Sequence, residues 1–135
     1  MTEIRTVTDA FAVAPQLQPH EMGEVAALGF KLVINNRPDG EVPGQPTGAE
    51  VEAAARAAGL DYVHIPVIGA ASADQLKAFH SAIATADGPV LAFCRSGTRS
   101  ITTWAVGQAQ HGDRSPAELA ALGGDAGYDL SGLLR

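Results

Sequence analysis

The sequence predicts an α/β domain: a central, mainly parallel sheet of four to five strands flanked by helices. Three observations carry this prediction. Short apolar runs alternate along the chain with segments of helical periodicity, the order of an α/β fold. The runs Leu32-Val33-Ile34 and Val90-Leu91-Ala92-Phe93 are continuous rather than alternating, as in strands buried on both faces. Three of the helical segments open on capping boxes.

Taken in order, a weak strand signal covers 10–14, and a helix is expected over 19–28, stopped by Gly29. A strand follows at 30–35. Thr47 and Glu50 form the first capping box; Val51, Ala54, Ala55 and Ala58 then share one face until Gly59 ends the helix. The next strand is expected over 61–67. Ser72 and Gln75 form the second box, with Leu76, Phe79 and Ile83 at helical spacing behind it. A strand at 89–93 leads into a loop and a helix opening near Ser100. Ser115, Pro116 and Glu118 start a last short helix with proline at its first position. Residues 123–135 are glycine-rich and receive no element.

The chain has 135 residues, 46% apolar and 18% charged, without a linker-like stretch, charge block or repeat, so one domain over 1–135 is expected. The net charge of −6 argues against nucleic-acid or anionic-membrane partners, which bind basic patches. No apolar run is long enough to cross a bilayer, and the mixed-charge start Met1-Thr2-Glu3-Ile4-Arg5 is not a secretory signal, so a cytoplasmic protein is expected. A single cysteine excludes an internal disulfide or a multi-cysteine metal site, and neither metal nor cofactor is expected.

That cysteine directly follows the strand at 89–93. Open α/β sheets take their ligands beyond the carboxyl ends of their strands. The segment Cys94-Arg95-Ser96-Gly97-Thr98-Arg99-Ser100 contains no proline, so every N–H from Arg95 to Ser100 is an available donor. Gly97 permits a positive φ, which lets Arg95, Ser96, Gly97 and Thr98 turn their N–H groups into an anion-binding nest. The following helix adds its positive dipole end, and Arg99 adds a planar fork suited to an oxyanion. The same field stabilises thiolate over thiol at Cys94, and the Ser100 hydroxyl can assist departure of the sulfur in a second step. Residues 91–103 hold two arginines and no acid within a net-acidic chain. The expected partner is therefore a small anionic substrate; the sequence says nothing of oligomeric state.

The loop resembles two families. Cysteine-dependent tyrosine and dual-specificity phosphatases carry His-Cys, five residues, then Arg and Ser or Thr; rhodanese sulfurtransferases carry a shorter loop, often Cys-Arg-Ser-Gly-x-Arg-Ser. With four residues between Cys94 and Arg99, the loop alone resembles a rhodanese. Across nearly the whole chain, the stretches Val13-Ala14-Pro15-Gln16-Leu17, Val33-Ile34-Asn35-Asn36-Arg37-Pro38-Asp39-Gly40-Glu41, His64-Ile65-Pro66-Val67 and Ala126-Gly127-Tyr128-Asp129-Leu130-Ser131-Gly132-Leu133 resemble the bacterial phosphatase-like domain of beta-lactamase-hydrolase-like proteins.

This resemblance implies a cysteine-phosphatase-like fold and a hydrolase acting on phosphate esters. Cys94 would be the nucleophile forming a cysteinyl-phosphate, Arg99 and the loop N–H groups would stabilise equatorial charge, and Ser100 would help the thiolate leave. Three departures stand out: Phe93 replaces the histidine, the loop is one residue short, and no acid follows Ile65-Pro66-Val67 until Asp74. Asp39, past the end of the strand at 30–35, is the substitute general acid, although Pro38-Asp39-Gly40 is also an ordinary turn. Arg37 in the same turn either binds the anion or is exposed. Two alternatives remain beside the hydrolase. One is a rhodanese-type sulfurtransferase with a Cys94 persulfide; the other is a catalytically silent anion-binding or regulatory module. His64 and Trp104 are expected in the core, and His20, His80 and His111 on the surface.

Overall fold

The computed structural model describes residues 3–132; the last leucine of the family-like tail, Leu133, lies outside them. Five strands, β1 (Arg5–Thr8), β2 (Phe11–Ala14), β3 (Leu32–Asn35), β4 (Asp61–His64) and β5 (Val90–Phe93), form one sheet in the order β1-β2-β5-β3-β4. All pairs are parallel except the edge pair β1–β2. The helices are α1 (Met22–Ala27), α2 (Gly48–Ala57), α3 (Ala73–Thr85), α4 (Thr98–Gln110) and α5 (Pro116–Asp125), with a 3-10 turn at Pro19–Glu21 ahead of α1.

Strand periodicity sorts the core into two layers. Val90 and Ala92 of β5, with Ile34 of β3 and Phe11 and Val13 of β2, pack among Phe79, Ile101, Trp104 and Leu119 from α3, α4 and α5. Leu91, Phe93, Val33, Ala12 and Ala14 turn to the other face, against Val25 of α1 and Val51 and Ala55 of α2. The continuous apolar runs are thus strands covered twice. Trp104 lies in the core, stacked on Phe11 with centroids 5.0 Å apart.

The three capping boxes form as expected, with Thr47, Ser72 and Ser115 each accepting from the third helical N–H. Other boundaries differ for local reasons. β4 stops at His64, although Ile65 and Val67 keep donating to Asn35 and Asn36, because Pro66 interrupts the ladder. α4 opens at Thr98, two residues before Ser100, because Gly97 takes a left-handed turn (φ 93°) and lets the helix begin at once. α5 continues to Asp125, into the unassigned tail. β1 has no counterpart in the sequence reading: Val7 is its one buried residue, and pairing with β2 supplies what its composition lacks. His80 is half-buried rather than exposed, its ring stacked 3.7 Å from that of His111.

The register matters for the site. Ala14, Phe93 and Asn35 are level, and Asn35 is level with His64, so four strands deliver their following loops to one rim. β5 is the middle strand, which puts Cys94 at the centre of that rim.

Candidate active site

Cys94 is fully buried, and its Sγ accepts a hydrogen bond from the Gly97 N–H at 3.1 Å. The left-handed Gly97 makes this bond possible, folding the loop so that the donor faces back toward the strand end. Around it the Ser96 hydroxyl bonds Thr98 Oγ1 at 3.0 Å and accepts from the Thr98 N–H at 3.4 Å. Arg95, Ser96 and Thr98 are exposed while Gly97 and Ser100 are buried, so the loop presents a polar outside over an enclosed sulfur. The loop base is tied down on both sides: the Arg95 carbonyl accepts from Gln16 N–H at 3.3 Å, and the Phe93 carbonyl from Asn36 N–H at 2.8 Å.

Ser100, in the first turn of α4, has no hydrogen-bond partner for its fully buried hydroxyl. Asn36 Oδ1 is unpartnered in the same way. A buried polar atom that no other protein group pairs with costs about 1–3 kcal/mol. Both orphans lie on segments anchored at the carboxyl end of β5.

Arg99 donates twice to Glu41, Nη1 to Oε2 and Nη2 to Oε1, both at 2.8 Å, and Nη1 also reaches the Val67 carbonyl at 3.0 Å. Glu41 Oε1 accepts as well from Arg37 Nε at 2.8 Å. Arg37 is buried, not exposed, and its Nη1 donates to Gln16 Oε1 at 3.0 Å. The backbone of Arg37 is pinned too, by Asn35 Oδ1 on its N–H and by His64, whose Nε2 must be the donor because the partner is a carbonyl. Hydrogen bonds from Arg99, then from Arg37, lower the pKa of Glu41 to about 2. Glu41 is therefore an anion at neutral pH: it orients Arg99 and has no proton to give. Glu41 in turn raises Arg99, keeping the guanidinium charged.

Asp39 is exposed, and its Oδ1 accepts from the Gly48 N–H at 2.7 Å, at the start of α2. The structure thus brings together Cys94, Ser96, Gly97, Thr98, Arg99 and Ser100 on one loop and helix end, with Arg95 on its outer edge. It uses Asp39 to cap a helix. Beside Arg99 runs a groove of about 330 Å³ whose walls include Gly69, Ala71, Leu76, Thr102 and Val106.

Residues 3–111 match the family model of the phosphatase-like domain of beta-lactamase hydrolase-like proteins. The chain belongs to this family. The phosphatase-like domain is 38% identical over 130 residues to a beta-lactamase hydrolase-like protein of Agrobacterium fabrum, and 40% identical over 129 residues to one of Xylella fastidiosa strain Temecula1. These alignments cover 96% and 95% of the chain but about 30% of each relative's length. A crystal structure from Neisseria meningitidis, of a protein provisionally called a phosphatase, superposes with a TM-score of 0.84 at 31% identity, covering 96% of this chain and 92% of that one. One from Shewanella putrefaciens, similarly described, shares the fold with a TM-score of 0.70 at 17% identity, covering 93% of each chain. The chain is accordingly a single α/β domain that shares its fold with these phosphatase-like structures. Among the described residues, no helix is long and apolar enough to cross a membrane.

Glu41 is the residue that sequence reasoning passed over, in favour of Asp39 two positions earlier. Its partner Arg99 is 58 positions away, so no local spacing marks the pair. The role of Asp39 is equally hard to read locally, because the Gly48 N–H that it accepts from lies nine positions further along.

Proposed function

We propose that the domain is a cysteine-dependent phosphatase acting on phosphate monoesters through a cysteinyl-phosphate on Cys94. The observation that carries this reading is the Gly97 N–H held on Cys94 Sγ at the mouth of α4, with Arg99 fixed in the first turn of that helix. A main-chain donor and a fixed guanidinium at the start of a helix favour the charge that develops on a transferring phosphoryl group.

In the first step the Cys94 thiolate attacks phosphorus, an S–P bond forms, the P–O ester bond breaks, and the leaving oxygen departs with the electron pair. Arg99 and the loop N–H groups hold the equatorial oxygens. In the second step water attacks phosphorus, the S–P bond breaks, inorganic phosphate leaves and the thiolate is restored. The orphan Ser100 hydroxyl is the group that can donate to the departing sulfur. Glu41 is ionised and Asp39 caps α2, so the leaving oxygen takes its proton from water. Substrates with acidic leaving groups, aryl phosphates above all, are favoured for that reason. We place the domain in the cytoplasm, where a nucleophilic cysteine stays reduced.

Sulfur transfer is the second reading, favoured by the four-residue spacing from Cys94 to Arg99 and by a leaving step that needs no proton. There the thiolate attacks the sulfane sulfur of thiosulfate, the S–S bond breaks and sulfite leaves. The Cys94 persulfide then gives its outer sulfur to a nucleophile such as cyanide.

A paired assay decides between them. Wild type and Cys94→Ser are incubated with an aryl phosphate, and separately with thiosulfate plus cyanide. Phosphate release that depends on Cys94 supports the first reading, and thiocyanate formation that depends on Cys94 supports the second. Neither product would leave a silent anion-binding module.

A further inference from the structure

The Ser96 carbonyl and the Gly97 N–H belong to one planar trans peptide, so they point in opposite directions. The N–H bonds Cys94 Sγ at 3.1 Å. The carbonyl, on the other side of the same plane, accepts from the Tyr128 hydroxyl at 2.9 Å. Tyr128 lies 32 positions further along, in the segment after α5.

We propose that Tyr128 is a positioning residue for Cys94: its hydroxyl holds the Ser96 carbonyl outward and thereby keeps the Gly97 N–H on the sulfur. The alternative state of this loop is a flipped peptide, which would turn a carbonyl oxygen toward the sulfur and oppose the thiolate. Glycine makes such a flip easy, because it accepts φ of either sign. The tyrosine removes that freedom. Gly97 is needed here on a second count, since a Cβ at this position would collide with the Tyr128 hydroxyl.

The tyrosine is itself held from several directions. The Arg5 guanidinium of β1 sits over its ring, 5.7 Å from the centroid, and Arg5 Nη1 donates to the Ala126 carbonyl at 3.1 Å. The Tyr128 N–H donates to the Gly123 carbonyl at 2.8 Å. Burial pushes the Tyr128 hydroxyl above its ordinary range, so it remains a donor at neutral pH despite the opposing charge of Arg5. The edge strand and the tail, the two elements least legible in the sequence, thus converge on the outer side of the nucleophile's loop.

This inference rests on reading Cys94 as the nucleophile, and its test needs no substrate. Tyr128→Phe removes the hydroxyl while keeping the ring and its Arg5 contact. Because the chain has one cysteine, thiolate ultraviolet absorbance follows Cys94 alone once each protein's Cys94→Ser counterpart is subtracted. Arg95 and Arg99 in the loop, Glu41 behind Arg99, and Arg5 over the ring are common to both proteins. The expected result is a titration displaced to higher pH, with the thiolate fraction on its rising limb roughly three- to tenfold lower, the scale of one ordinary hydrogen bond. The Gly97 amide proton resonance should move at the same time, with the thermal midpoint nearly unchanged. A superimposable titration and an unmoved Gly97 amide would overturn the proposal. Absence of turnover in the wild type would count against the proposed activity and leave this comparison intact.

Discussion

The loop after β5 and the loop after β3 leave the same rim of the sheet and do different work. The first, from Cys94 to Ser100, holds the buried Cys94 sulfur under the Gly97 N–H and carries the buried Ser100 hydroxyl. The second, from Asn36 to Glu41, supplies ions: a buried Arg37 and a Glu41 that grips Arg99 through both carboxylate oxygens. One loop is the cradle and the other is its brace. The difference teaches that two acids two residues apart in one turn can have unrelated roles. Asp39 satisfies the first N–H of α2, and Glu41 fixes the Arg99 guanidinium.

Substitutions in the two loops should therefore grade steeply. Cys94→Ser is expected to lower kcat by about 10³-fold or more on whichever donor proves active, since a neutral hydroxyl replaces the nucleophile. Retained turnover in steady-state assays would count against the cradle altogether. Arg99→Lys should cost on the order of 10²-fold in kcat/KM, because an ammonium cannot reproduce the planar fork that Glu41 holds.

Glu41→Gln should cost less, roughly tenfold in kcat with a smaller change in KM, if the brace acts through Arg99. It also carries a pH signature. The folded-state pKa of Glu41 is depressed from 4.5 to about 2, so the carboxylate stabilises the fold above about pH 4.5 and loses that contribution as pH falls toward about 2. The gap in thermal midpoint between wild type and Glu41→Gln should narrow over that window. A gap independent of pH would show that the brace works by packing alone. Asp39→Asn should be the mildest, with kcat and the acid limb of the rate profile within about twofold of wild type and a loss of about 1 kcal/mol or less from the α2 terminus. A collapsed acid limb in Asp39→Asn would restore it as the general acid and break the contrast between the two loops.

What the sequence made legible follows the same division. Local signals were readable: Thr47, Ser72 and Ser115 cap helices as their spacing implies, and the run 90–93 is the doubly covered middle strand. Cys94, Gly97 and Arg99 declare themselves because strand, loop and helix start are contiguous. Contacts made over distance were not readable. Arg99 meets Glu41 across 58 positions and Ser96 meets Tyr128 across 32. β1 was invisible because an edge strand owes its existence to the neighbour it pairs with rather than to its own apolar content.

The central claim is covalent transfer through Cys94 inside the Arg99 cradle, and rapid-quench mass spectrometry of the peptide carrying Cys94 tests it most directly. With an aryl phosphate, a phosphoryl group should appear on Cys94 within the first turnover and decay as free phosphate rises. A persulfide formed instead from thiosulfate would keep the nucleophile and change its target to sulfur. Product release at the full rate with Cys94 unmodified under both donors would contradict the account.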